Sequence, residues 1–350
     1  MEPRGFFARV SIAAIVLLSG AAWAQEQQAP NLIILGWDGS DREAVELQLS
    51  NGNLPHLEDL IGSEGGMWPV HVFRNRYFGL SAEREIESNT STKPGWVEVV
   101  TGVDPVLYGI RTNKEWNPLP DGETIFEKLR QDNPDLVVGW ITAKPGNTGL
   151  NCPNPQSLLA GLCDDVPKEW RKFQKQPPND WVGRNALKFI DANANQQFAA
   201  FITFAFPDWA GHYCPDVEFR NTGFRHGYIT SMISTPENGK HTGCFNYRTG
   251  EWISWGGGTD FWTGEILAAL DSYGIRDNTI IVVTSDHGFV KLDNPISTRG
   301  HANSPDSWAA SNFDLAMTMP YARLSDIAPT VLGIMREIEK QQNAEEPVPE

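Results

Sequence analysis

For its 350 residues the chain is short of three things: cysteine, positive charge and long apolar runs. Its four cysteines (Cys152, Cys163, Cys214 and Cys244) include no CxxC spacing, which argues against a zinc ribbon or a dithiol redox site. Lysine and arginine number 28 against 44 aspartates and glutamates, a net charge of −16. A field of that sign opposes binding to a nucleic-acid polymer, although a local metal charge still admits small anions. Beyond the N-terminus no apolar stretch is long enough to span a bilayer, so no stable membrane anchor is expected there. What the chain does have is a 40% hydrophobic fraction with 11% aromatics. That excludes disorder and supplies a sizeable core for one large domain or two modest ones.

Arg4 and Arg9 precede an apolar run, Val10 to Leu18, and then the small-residue stretch Ala21-Ala22-Trp23-Ala24. Charged, apolar and small segments in that order read as a secretory signal cut after Ala24, with an uncleaved anchor or a buried first helix as the rival. The mature protein is then periplasmic or secreted, where cysteines pair. Three pairings are open. Proximity favours Cys152–Cys163 and Cys214–Cys244, each worth roughly 2–4 kcal/mol, against the alternative of free buried thiols.

Short continuous apolar runs at Asn31–Gly36, Phe198–Phe206 and Thr279–Thr284, and a weaker one at Leu136–Ile141, suit strands buried on both faces of a parallel sheet. Helical patterns lie between them: Leu54–Ile61 stopping at Gly62, Thr124–Arg130, Trp181–Ile190, and Asp260–Tyr273 stopping at Gly274. Alternating strands and helices predict an α/β fold with a mainly parallel central sheet flanked by helices. Residues 25–335 read as a single domain, with loop-rich insertions at about 144–180 and 213–258 and a flexible tail over 336–350.

Each strong strand ends in an aspartate: Asp38, Asp208 and Asp286. A lone aspartate there is usually a turn or cap residue, but in a parallel sheet all three reach the one edge where ligands bind. His212 stands four residues after Asp208, His287 adjoins Asp286, and His301 follows fourteen residues later. Three carboxylates and three imidazoles are too many for one four-coordinate ion and suit two, with mixed donors favouring zinc. In Asn89-Thr-Ser-Thr92-Lys-Pro94, followed by Gly102, Pro94 fits a helix's first turn and Gly102 its end. Thr92 then sits at a helix N-terminus suited to an anion, as a plain cap or as a nucleophile, with Ser91 as its rival. Trp116, Trp209, Trp252 and Trp255 are open to two readings, packing or stacking of a substrate ring.

In chain order, Leu35-Gly-Trp-Asp38-Gly, Thr92-Lys-Pro94 with Val100-Thr-Gly102, Asp208-x-x-Gly-His212, Ser285-Asp-His-Gly288, Gly300-His301 and Asp326-Ile-Ala-Pro-Thr330 resemble the alkaline phosphatase superfamily, in its type I phosphodiesterase/nucleotide pyrophosphatase branch. The resemblance implies one zinc site at Asp38, Thr92, Asp286 and His287, and a second at Asp208, His212 and His301. It implies that Thr92 is the nucleophile. It also implies that Asn113, in Tyr108-Gly-Ile-Arg-Thr-Asn113, donates to a phosphoryl oxygen, although Tyr108 stands where the branch has histidine. The expected activity is cleavage of phosphodiester or pyrophosphate bonds in a small phosphate ester, nucleotide-like or aryl, through a phospho-threonine. The alternatives are a phosphomonoesterase or sulfatase-like hydrolase on the same metals, and a metal-stabilised binding protein without catalysis. A formylglycine phrase and the D-S-A phrase of ordinary alkaline phosphatases are both missing.

Overall fold

The computed structural model describes residues 29–72, 90–113, 119–144, 178–236, 242–292, 301, 304, 306–317 and 322–345. The expected signal segment, Cys152, Cys163, Trp116, Gly300 and nearly all of the 144–180 insertion lie outside the described residues.

The strands are β1 (Asn31–Trp37), β2 (Gly66–His71), β3 (Val137–Thr142), β4 (Phe198–Phe204), β5 (Gly243–Phe245), β6 (Trp252–Ser254), β7 (Thr279–Thr284) and β8 (Asp306–Ser311). Six of them form one sheet in the order β2-β8-β7-β1-β4-β3, and β5 pairs with β6 in a separate hairpin. The four apolar runs are the parallel strands β3, β4, β1 and β7. The sheet is nevertheless mixed, because β8 runs antiparallel to β7 and β2 antiparallel to β8. Neither antiparallel strand carries a continuous apolar run, and Pro69 sits in β2 at the sheet's edge, where a proline is tolerated.

Alternation along β1 feeds two cores. Ile33, Leu35 and Trp37 face one layer, and Leu32 and Ile34 the other. The first layer is covered by α1 (Arg42–Ser50), α2 (Pro55–Ile61), α5 (Asn179–Asn193) and α8 (Thr259–Ser272). The second is covered by α3 (Thr92–Thr101), α4 (Ile125–Asp132) and α9 (Ile327–Glu345). α4 opens on a capping box, Thr124 with Glu127. The tail expected from 336 gives way to a helix reaching Glu345. Ile338 packs against the second core and the Arg336 Nε lies 2.8 Å from the Asp132 Oδ2.

Within 213–258 the chain forms more than loop: α7 (His226–Ile233) buries Tyr228, Ile229 and Met232, and the β5–β6 hairpin is tied by the Cys214–Cys244 disulfide to the end of α6 (Asp208–Tyr213). Among the described residues no helix is long and apolar enough to cross a membrane.

Candidate metal centre

The C-terminal ends of three neighbouring parallel strands bring the three aspartates together. Asp38 follows β1, Asp208 opens α6 just after β4, and Asp286 follows β7. Backbone bonds lace these turns: the Gly39 N–H donates to the Asp286 Oδ1 (2.9 Å) and the Asp208 N–H to the Asp38 carbonyl (2.9 Å). Gly39 has φ +70°, and a Cβ there would lie 2.8 Å from the Asp208 Cβ, so only glycine lets the β1 turn close on its neighbour.

Two groups of ligand atoms result. Asp38, Asp286 and His287 form one, and Asp208, His212 and His301 the other, with the atoms of each group within 4.8 Å of one another. The first is fully buried, whereas His212 and His301 in the second are partly exposed. His212 follows Asp208 by one helical turn of α6, which puts its Nε2 3.2 Å from the Asp208 Oδ1. The His287 Nδ1 lies 2.8 Å from the Gly288 carbonyl and the His301 Nδ1 bonds the Thr90 carbonyl. A carbonyl only accepts, so each Nδ1 carries the proton and each Nε2 lone pair is left for a ligand. The two rings stack, with centroids 3.9 Å apart.

The donor set fits divalent ions. The Asp208 Oδ1 and the Asp286 Oδ2, one from each group, are buried oxygens with no hydrogen-bond partner among the described residues. Burial draws His287 down to about 4, and burial followed by the adjacent His287 holds His301 well below the usual imidazole value. Both are therefore in the neutral, metal-binding form. Burial pushes Asp286 up to about 8 and, with the Asp286 charge, raises Asp38 well above the carboxylate range. Burial also works upward on Asp208, but Lys144, His212 and His301 hold that carboxyl well below it.

Thr92 is the first residue of α3, and its Oγ1 lies 3.4 Å from the His287 Nε2. α3 can approach so closely because of Gly95, where a Cβ would fall 2.1 Å from the Asp286 carbonyl oxygen. Gly102 ends the helix in the left-handed region. The Ser91 side chain does not cap the helix, and its buried Oγ has no partner among the described residues. The Asn113 Oδ1 accepts from the Lys93 N–H (2.7 Å), which ties Asn113 to the start of α3 and leaves its Nδ2 to donate. The Tyr108 hydroxyl donates to Glu123 (3.1 Å). Of the tryptophans, Trp255 is buried with its Nε1 on Ser234, Trp209 packs on Tyr213, and half-exposed Trp252 packs on Phe245.

The sequence reading missed three participants. Lys144 reaches both groups, with its Nζ 2.8 Å from the Asp38 Oδ1 and 2.5 Å from the Asp208 Oδ2. Thr90 clasps the His301 backbone and ring through its side chain and carbonyl. The Tyr228 hydroxyl donates to the Gly39 carbonyl (2.8 Å) and accepts from the Asp41 N–H (2.6 Å), pinning the turn behind Asp38. Lys144 stands just past the end of β3, on the same sheet edge as the aspartates, and that position is the sequence signal for it.

A sequence profile described as "Type I phosphodiesterase / nucleotide pyrophosphatase" matches residues 32–326. No curated protein matches the sequence. Similar solved structures include a phosphonate monoester hydrolase of Agrobacterium radiobacter, at 12% identity and TM-score 0.53, covering 88% of this chain and 74% of that one. A lipoteichoic acid synthase, LtaP, from Listeria monocytogenes gives 15% and 0.51 over 88% and 72%. A protein solved with its substrate D-glucosamine-2-N,6-O-disulfate gives 15% and 0.55 over 88% and 77%. At such identities the likeness is one of fold.

Proposed function

The chain belongs to the type I phosphodiesterase/nucleotide pyrophosphatase family, and from that premise we propose that it is an exported zinc enzyme cleaving phosphodiester or pyrophosphate bonds through a phospho-threonine. Family and site agree on the coarser statement: it is a metal-dependent hydrolase of phosphate esters.

Asp38, Asp286, His287 and Thr92 would hold one ion, and Asp208, His212 and His301 the other. Such a pair supplies Lewis acidity to the attacking and leaving oxygens. The Thr92 Oγ attacks phosphorus in line; the Oγ–P bond forms as the bond to the leaving oxygen breaks, and that oxygen departs with the bonding pair and takes up a proton. Water then attacks the same phosphorus, breaking the Oγ–P bond and restoring the hydroxyl. The dipole at the start of α3 favours the phosphoryl negative charge, and the Asn113 Nδ2, held there by the Lys93 N–H on its Oδ1, adds a side-chain donor.

The observation that carries this reading is the placement of the Thr92 hydroxyl at a helix N-terminus, 3.4 Å from the neutral His287 of the buried group. Thr92→Ala should retain its ions and lose turnover of bis-p-nitrophenyl phosphate; full turnover in that variant rejects Thr92 as the nucleophile. One observation favours a monoesterase instead. The Lys144 ammonium adds positive charge beside both groups, which suits a dianionic ester better than a monoanionic diester. Rates on a monoester, a diester and a sulfate ester in one assay decide between the two readings. Export is supported by the N-terminal pattern and by the Cys214–Cys244 disulfide, and cell fractionation tests it.

A further inference from the structure

We propose that Lys144 is a built-in counter-cation of this site. It holds Asp38 and Asp208 together while the protein is metal-free, and divalent ions compete with it for those carboxylates. The inference rests on the reading of the two groups as metal sites. Lys144 is buried, and its stem is fixed: its backbone N–H donates to the Thr142 Oγ1 (3.1 Å), and that hydroxyl bonds the Thr203 Oγ1 (2.6 Å) on the adjacent strand β4. From that anchor the ammonium meets one carboxylate of each group, Asp38 and Asp208. Three aspartates crowd this interior, and burying unpaired carboxylates side by side is costly. An ammonium bonded to two of them offsets that cost and keeps the two halves in register before any ion arrives.

The same charge opposes the ions. Lys144 takes the Asp38 Oδ1 and the Asp208 Oδ2, leaving the Asp208 Oδ1 and the Asp286 Oδ2 facing the imidazoles of their own groups, 3.2 Å from the His212 Nε2 and 3.4 Å from the His287 Nε2. Incoming dications must therefore bind beside a fixed positive charge or displace it, and in a poorly solvated interior like charges at such range repel strongly. Lysine is thus a stabiliser of the metal-free protein and a brake on metal affinity.

The experiment uses the full chain, stripped with a chelator, and compares wild type with Lys144→Met and Lys144→Arg. Melting temperature is read without metal, and zinc affinity by competition with a chelating dye. Lys144→Met should melt lower when metal-free and bind zinc roughly ten- to a hundredfold more tightly, while Lys144→Arg keeps wild-type metal-free stability. An unchanged melting temperature in Lys144→Met, or zinc bound no more tightly, overturns the proposal. If Lys144→Met does not survive stripping, chelator is titrated against the loaded protein. Metal retained to higher chelator concentration than in wild type supports the proposal; release at the wild-type concentration overturns it. A wild type that takes up no divalent ion defeats the metal-centre reading itself, whereas a wild type that loads zinc beside an indistinguishable Lys144→Met defeats this inference alone.

Discussion

The group at β1 and β7 is dry, while the group at α6 is open to solvent on one side: the His287 side chain has no exposed surface and that of His212 keeps 26%. The same residue types build both, so the difference lies in what holds them. Asp38, Asp286 and His287 follow two adjacent parallel strands, locked by the backbone approaches at Gly39 and Gly95. Asp208, His212 and His301 come from a six-residue helix and from a chain segment clasped to Thr90. They are braced by Phe289, which touches His212, His301 and, from the 213–258 segment, Tyr228, and by the disulfide at the end of α6. A rigid, water-poor half suits an alcohol that must attack from one fixed position, and a half with an opening suits a leaving group that departs and a water that enters.

The comparison can be broken most directly at the dry half. Thr92→Ala should lower turnover by about 10⁴-fold or more with metal content unchanged. Turnover and metal analysis of one preparation check it, and a variant that also loses its ions would make Thr92 a structural ligand instead.

Next comes Asp41, which caps α1 behind the dry half and accepts from the Glu43, Ala44 and Phe289 N–H groups. Burial pushes its carboxyl up to about 7 from an ordinary 3.8. The folded protein then holds this proton more tightly than the unfolded chain, so the Asp41 contribution favours folding at low pH and is lost as pH rises from about 4 through about 7. Asp41→Asn should flatten that part of the pH dependence, worth about 4 kcal/mol at most. Urea unfolding at pH 5 and pH 8 measures it, and an unchanged slope contradicts the assignment.

At the open half, Cys214→Ser with Cys244→Ser removes a cross-link between residues 30 apart and should cost roughly 3–4 kcal/mol of stability. If the brace reasoning holds, zinc release at the α6 group also becomes faster; equal release kinetics would confine the disulfide to stability. The smallest expected effect is that of Tyr228→Phe, which deletes the hydroxyl joining the Gly39 carbonyl to the Asp41 N–H. About 1–2 kcal/mol and a modest loss of zinc affinity are expected, read by denaturation and dye competition. No change in either would remove α7 from the support of the dry half.

The buried parallel strands were readable because continuous apolar runs have no other use at that length, and Thr279–Thr284 appears as β7 with its bounds unchanged. The two acid–imidazole groups were readable because strand ends and the Asp208–His212 spacing put acids and imidazoles on one edge. β2 stayed hidden because an edge strand with a short mixed sequence, Gly66-Met-Trp-Pro-Val-His71, carries little pattern, and β8 because Asp306-Ser-Trp-Ala-Ala-Ser311 has no continuous run of large apolar residues. Lys144 stayed hidden for a chemical reason, since an ammonium is not a metal ligand and a search for ligands passes over it. Thr90 acts through its hydroxyl and its carbonyl on His301, 211 positions away, contacts that only the folded chain creates. Tyr228 acts across 189 residues of chain, a contact that only the folded α7 creates.

The face-to-face stack of His287 on His301 has one more consequence. One ring belongs to each group, and each is tethered through its Nδ1 to a carbonyl, so neither can pivot without moving the other. Orienting one imidazole therefore constrains the other, and the two groups share one support. A substitution that frees either ring from its carbonyl should then loosen both groups, not only its own.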